Sequence, residues 1–128
     1  METRKRILVV DDQPGIVKLL SIKFSLSGYD VIATTRGTEA VELVRREKPD
    51  ILLLDIMMPG TDGLAVLREV RGFSQVPTII FTARGDIARF AKIMGANDSI
   101  AKPFDLDQLL GKVGALLDED GGGGPAGP

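Results

Sequence analysis

The residues of this 128-residue chain that could do chemistry together are three aspartates, a threonine and a lysine. Asp11 and Asp12 follow the apolar run "ILVV" (7–10), and Asp55 follows "ILLL" (51–54). Thr82 follows "TIIF" (78–81), and Lys102 follows "SIA" (99–101). An unpaired carboxylate is expensive to bury, so Asp55 at the end of such a run calls for a partner. Three carboxylates brought close repel one another; either their pKa values rise or a cation holds them. The chain has neither histidine nor cysteine. Oxygen-only donors favour a hard ion, Mg²⁺ first. A nucleophilic carboxylate beside Mg²⁺, with an ammonium and a hydroxyl nearby, suits phosphoryl transfer. The metal and Lys102 would neutralise the phosphoryl oxygens, Thr82 would hydrogen-bond one of them, and Asp55 would attack.

Composition narrows the alternatives. The length fits one domain able to bury a sizeable core. A 44% hydrophobic and 27% charged composition is that of an ordinary globular protein. A net charge of −2 argues against binding nucleic acid or an anionic membrane through bulk charge. Without cysteine there is no disulfide framework and no thiolate chemistry. Without histidine the commonest general base and zinc ligand are gone. The opening "METRKRILVV" has an apolar run far too short for a signal peptide or a membrane span, so a cytoplasmic location is expected.

The elements that must position the five residues alternate regularly. The runs 7–10, 31–34 ("VIAT"), 51–54 and 78–81 are continuous and apolar, as strands buried on both faces should be, with 99–101 a weaker fifth strand. Amphipathic stretches lie between them. Ile16, Leu20 and Phe24 share a helix face, with Gly28 as a stop; Ala40, Leu43 and Val44 mark a second helix, ended by Pro49. Val66, Leu67 and Val70 mark a third, capped by Asp62. Ile87, Phe90, Ala91 and Met94 mark a fourth, with Asp86 ahead as a cap. Leu106, Leu109, Leu110, Val113 and Leu117 mark the fifth, where Asp105 and Gln108 have capping-box spacing.

Five βα units with short connections imply a parallel sheet with helices on both faces. The expected class is α/β: a flavodoxin-like, doubly wound five-stranded parallel sheet in the order 2-1-3-4-5, with five helices. Strands 1 and 3 are then neighbours, roughly 5 Å apart. Ligands in such sheets bind beyond the carboxyl ends of the strands, so Asp11, Asp12, Asp55, Thr82 and Lys102 converge on one pocket. The second strand ends in Thr34 and Thr35, which offer nothing distinctive. The domain is expected over 1–118. Residues 119–128, ending in "GGGGPAGP", form a disordered Gly/Pro-rich tail or the start of a linker.

Singly, each residue has an ordinary structural reading. Paired aspartates after a strand often start a loop and cap a helix. A lone strand-end aspartate is usually a turn residue, Thr82 could cap the next segment, and Lys102–Pro103 could be a turn. Met57, Met58 and Met94 read as core filler. The coincidence is harder to explain that way: each group falls at the carboxyl end of its strand, with complementary charge.

At this point the chain resembles the receiver domain of two-component response regulators. The matching pieces are "ILVVDDQ", "PDILLLDIMMPGTDGL", "PTIIFTA", "GANDSIAKPF" and "DLDQLLGKVGALL", over about residues 5–117. The strand order above is also that family's own, so it is not independent of the resemblance. The resemblance implies that Asp55 accepts a phosphoryl group from a sensor histidine kinase or phosphotransfer protein. It implies that Asp12, Asp55 and the backbone carbonyl of Met57 bind Mg²⁺ directly, with Asp11 acting through water. Thr82 and Lys102 match the hydroxyl and lysine that contact the phosphoryl group, and a cis Lys102–Pro103 bond is implied. The domain would catalyse its own phosphorylation and dephosphorylation without being an enzyme. It would signal to a partner or output domain through the face formed by the fourth helix, fifth strand and fifth helix, with no direct contact to nucleic acid or membrane.

One departure stands out. Family members usually carry an aromatic residue three positions before the lysine; here it is Ser99. The usual switch moves the threonine toward the phosphate while the ring turns inward, and Ser99 has no ring to turn. The alternative reading is therefore a receiver-like protein-interaction module with weakened phospho-switching. Two other classes fit less well. A haloacid dehalogenase-type phosphatase needs a second acid two residues after the nucleophile, where this chain has Met57, and room for a cap over the substrate. A nucleotide or flavin binder needs a glycine-rich turn after the first strand, where "VVDDQPG" places two negative charges.

Overall fold

The computed structural model describes residues 4–120. Its main sheet contains β1 (Arg6–Val10), β2 (Asp30–Thr34), β3 (Ile51–Asp55), β4 (Thr78–Phe81) and β5 (Asp98–Ile100). Around it lie α1 (Pro14–Leu26), α2 (Ala40–Glu47), α3 (Gly63–Arg71), α4 (Gly85–Ile93) and α5 (Leu106–Asp120). The strands are parallel and run in the order β2-β1-β3-β4-β5. This is the architecture expected from the alternation of apolar runs and helical stretches. α5 reaches Asp120, two residues into the tail expected over 119–128, and residues 121–128 of that tail lie outside the described residues.

Period-two alternation along the central strands divides the core in two. Leu8, Val10, Leu52, Leu54 and Ile80 point to one face and pack under α2, α3 and Ala91 of α4. Ile7, Val9, Ile51, Leu53, Ile79 and Phe81 point to the other, where Leu20 and Phe24 of α1 and Leu109, Val113 and Leu117 of α5 cover them. β3 is buried along its whole length. Truncating a residue such as Leu53 to alanine there would cost about 2–5 kcal/mol. The sheet is therefore a rigid base whose carboxyl edge holds the polar strand ends.

Several local features differ from the sequence reading. β2 is not buried on both faces: it is an edge strand, with Ala33 exposed and Val31 and Ile32 half-buried. Asp86 does not cap α4. The helix starts at Gly85, two residues before the start that an Asp86 cap would give, so Arg84 holds the cap position and Asp86 lies in the first turn, paired with Arg84 at 2.8 Å. Phe90, on the expected apolar face of α4, is 50% exposed. The other cap readings hold. The Asp62 carboxylate accepts from the backbone N–H groups of Leu64 and Ala65, and that of Asp105 accepts from those of Asp107 and Gln108. A short antiparallel ladder, Met57–Met58 against Thr61–Asp62, shapes the turn after β3 and was not visible as a strand pattern.

Candidate functional site

The parallel register sets the site. Val10 is level with Leu54, and Asp55 is level with Phe81, so the next residues on β1 and β4, Asp11 and Thr82, flank Asp55 at the carboxyl edge. The three acids Asp11, Asp12 and Asp55 each offer a carboxylate oxygen within 4.8 Å of the others. Asp11 is fully buried, Asp55 is 3% exposed and Asp12 is half-buried. Asp12, Gln13, Asp55, Met57, Pro59, Thr82 and Lys102 line a cleft of about 400 Å³ with Phe81 and Ala83.

Backbone groups hold the two buried acids in place. The Met57 N–H donates to Asp55 Oδ1 at 3.0 Å, and the Gln13 N–H donates to Asp11 Oδ1 at 2.9 Å. Each carboxylate thus has one oxygen fixed and the other turned toward Lys102. Lys102 reaches both free oxygens: its Nζ lies 2.7 Å from Asp11 Oδ2 and 3.2 Å from Asp55 Oδ2. The contact to Asp55 is a hydrogen bond. The contact to Asp11 is short but lies off hydrogen-bond angles, leaving Asp11 Oδ2 buried without a hydrogen-bond partner. Nζ also donates to Gln13 Oε1 at 2.9 Å. The Lys102–Pro103 peptide is cis.

These contacts set the electrostatics. Burial pushes the Asp55 carboxyl above its ordinary value, and the Asp11 charge adds to the rise; the Met57 N–H and Lys102 oppose it. For Lys102, burial acts to lower the ammonium, but the carboxylates of Asp11 and Asp55 outweigh it and hold the group above its ordinary value. One ammonium does not balance three acids. The donor set is all oxygen, and three acids within 4.8 Å of one another share one ammonium, so the residues present fit a small hard cation such as Mg²⁺.

Thr82 lies on the cleft wall, with its backbone N–H held by Ile100 O at 3.0 Å. Its hydroxyl accepts from the Arg84 N–H at 3.1 Å, which leaves the hydroxyl proton free to donate. Ser99, level with Ile80 on the neighbouring strand, is outside this cleft. It lines an adjoining space of about 520 Å³ with Thr82, Ala88, Phe104 and Lys112. Met57 contributes its backbone beside Asp55, while its side chain is 61% exposed at the mouth.

The sequence reading missed two contributors. Gln13 was only part of a matching motif, and nothing in the sequence signals that its amide meets a lysine 89 positions away. Gly63 begins α3 against the backbone of Ile56. A Cβ there would lie 2.6 Å from Ile56 Cα, so only glycine lets α3 approach the turn that carries Asp55 and Met57. The "PGTDG" turn contains this glycine but does not show which backbone it touches.

Comparisons with known proteins agree with this geometry. Residues 7–114 match the family described as the response regulator receiver domain. The chain is 42% identical over 119 residues to the probable transcriptional regulator ycf27 of Guillardia theta, covering 91% of this chain and 47% of that protein. It is 40% identical over 116 residues to ycf27 of Porphyridium aerugineum, covering 89% and 48%. The chain thus spans about half the length of these relatives. Among solved structures, it is similar to a CheY-like receiver domain protein from Methanospirillum hungatei, with a TM-score of 0.89, 27% identity and coverage of 95% and 100%. It is also similar to the BeF3-activated N-terminal receiver domain of Klebsiella pneumoniae RstA, with a TM-score of 0.83, 34% identity and coverage of 88% and 98%.

Proposed function

Because this chain belongs to the response regulator receiver domain family, we propose that it is a phosphorylation-operated switch whose phosphoacceptor is Asp55. The observation that carries the reading is the meeting of Asp11, Asp12, Asp55 and Lys102 in a cleft walled by Thr82. The donor is a sensor histidine kinase or a phosphotransfer protein. An Asp55 carboxylate oxygen attacks phosphorus; the new O–P bond forms as the donor's N–P bond breaks, and the donor imidazole leaves. The Met57 N–H keeps the carboxylate plane aimed outward during attack. Lys102 then pairs with a phosphoryl oxygen in place of Asp55 Oδ2, and Thr82 donates its free hydroxyl proton to another. Asp11, Asp12 and Asp55, with the Met57 backbone, would hold Mg²⁺, which would supply neutralisation of the developing charge. The acyl phosphate is labile, as a signal that must decay requires, and the same residues serve its hydrolysis.

The output is a shift of the α4–β5–α5 face, read by a partner or output domain in the cytoplasm. No helix among the described residues is long and apolar enough to cross a membrane. The relatives named above are described as probable transcriptional regulators and are about twice as long, so control of transcription through a further domain is the output this reading favours. The assembled acids and Lys102 support phospho-acceptance over the interaction-only alternative, and Ser99 bears on how far the shift travels.

The test is incubation with acetyl phosphate and Mg²⁺ followed by intact mass measurement. The expected result is one alkali-labile phosphoryl group per chain, absent with a chelator and absent in Asp55→Asn.

A further inference from the structure

Gln13 occupies the N-cap position of α1, yet its side chain makes no capping bond. Its backbone does the work of starting the helix: the carbonyl accepts from Ile16 and Val17, and the N–H donates to Asp11 Oδ1. These bonds fix where the side chain begins. The amide oxygen turns away from the helix and accepts a 2.9 Å hydrogen bond from Lys102 Nζ, joining the loops after β1 and β5. An ammonium has three protons, and Lys102 Nζ has three oxygens around it: Asp11 Oδ2, Asp55 Oδ2 and Gln13 Oε1.

The three anchors do not survive equally. A divalent cation among the acids would screen both carboxylates from Lys102 and repel its ammonium directly. The lysine stem is flexible and 26% exposed, so it could turn to solvent. Gln13 Oε1 is neutral, belongs to no acid of the cluster, and is tethered to the start of a helix. We propose that Gln13 is a positioning residue for phosphoryl transfer: its amide oxygen keeps the Lys102 ammonium at the cleft mouth when the acids are engaged by metal, where the incoming phosphoryl group needs it. The proposal rests on the phosphoacceptor reading above and adds a residue to it.

Two readouts test it. In NMR of protein carrying ¹³C-labelled lysine, the Lys102 Cε signal should stay dispersed and ordered in the wild type on adding Mg²⁺. In Gln13→Ala it should collapse toward free lysine, and in Gln13→Glu, which keeps an acceptor, it should stay ordered. Phosphorylation by acetyl phosphate at saturating Mg²⁺ should slow roughly ten- to hundredfold in Gln13→Ala. It should not slow further when Gln13→Ala is added to Lys102→Ala, because the two act as one unit. A Lys102 signal equally ordered in wild type and Gln13→Ala, or an equal rate loss in both backgrounds, would overturn the proposal. If instead the phosphoacceptor reading itself fails, the wild type takes up no phosphate and the Asp12 and Met57 amides do not shift with Mg²⁺.

Discussion

The Lys102 ammonium stands 2.7 Å from Asp11 Oδ2, an oxygen that is buried and makes no hydrogen bond. One cation therefore serves two buried acids, Asp11 and Asp55, and its removal leaves both uncompensated. Breaking a buried pair costs about 3–5 kcal/mol, and the partial exposure of Lys102 reduces this to roughly 1–3 kcal/mol. Lys102→Met should lose that much in urea unfolding with a chelator present, and saturating Mg²⁺ should restore much of it. In the wild type, the raised Lys102 value means that its contribution is complete below the ordinary value of 10.5 and is lost as pH rises through the higher folded value.

Asp55 has the opposite sign. Its folded value is raised, chiefly by burial, so the folded chain binds the proton more tightly than the unfolded one. Stability from this group falls as pH rises from the ordinary value of 3.8 through the folded value. The penalty is complete once the pH lies above the folded value. Without metal, Asp55→Asn should melt higher than the wild type by roughly 3–6 °C, the shift that about 1 kcal/mol gives a domain of this size. Mg²⁺ should raise the wild-type melting temperature more than that of the variant. A lower melting temperature for Asp55→Asn under chelation would contradict this.

The caps provide a paired control. Asp62→Ala removes an acceptor for two backbone N–H groups at the start of α3 and should cost about 1 kcal/mol. Asp86→Ala removes an exposed pair with Arg84 and an exposed first-turn carboxylate, and should stay close to wild type. Equal losses in chemical denaturation would contradict the assignment of the caps.

Gly63→Ala places a Cβ 2.6 Å from Ile56 Cα. The clash is with backbone, so α3 or the turn after Asp55 has to move. The variant should lose about 1–3 kcal/mol of stability. It should also bind Mg²⁺ more weakly in a calorimetric titration, because the displaced turn carries Met57.

Ser99 contributes no ring of its own to the space between α4 and α5. Beryllofluoride with Mg²⁺ should therefore shift the NMR signals of Thr82 and the 82–86 loop, with a smaller shift carried across 87–115. Ser99→Tyr should enlarge the shifts across 87–115. Large shifts there in the wild type would show that the signal crosses the face without an aromatic residue.

What was readable in the sequence followed from strong physical constraints. A strand buried on both faces must be apolar throughout, so the polar residue ending each run marked the carboxyl edge of the sheet. Parallel crossovers, with a strand order that rests in part on the resemblance to receiver domains, then brought Asp11, Asp12, Asp55, Thr82 and Lys102 together. What was not readable depended on contacts between distant segments or on local competition. β2 is apolar in sequence but sits at an edge, and burial there is set by neighbours rather than by the strand itself. Asp86 resembles a cap because aspartate favours that position, but α4 begins two residues earlier and Arg84 takes Asp86 as a partner. The Gln13–Lys102 bond joins two loops through a side-chain rotamer, and the close approach at Gly63 is made by another segment's backbone; neither leaves a periodic trace.

The most direct measurement of the central claim is chemical location of the phosphoryl group. Protein treated with acetyl phosphate and Mg²⁺ would be reduced with borohydride, which converts an aspartyl phosphate to homoserine, then digested and sequenced by mass spectrometry. The account predicts a reduced residue at position 55 alone, absent when Mg²⁺ is withheld. Reduction at another acid, or an unmodified position 55 in protein that has gained phosphate, would contradict it.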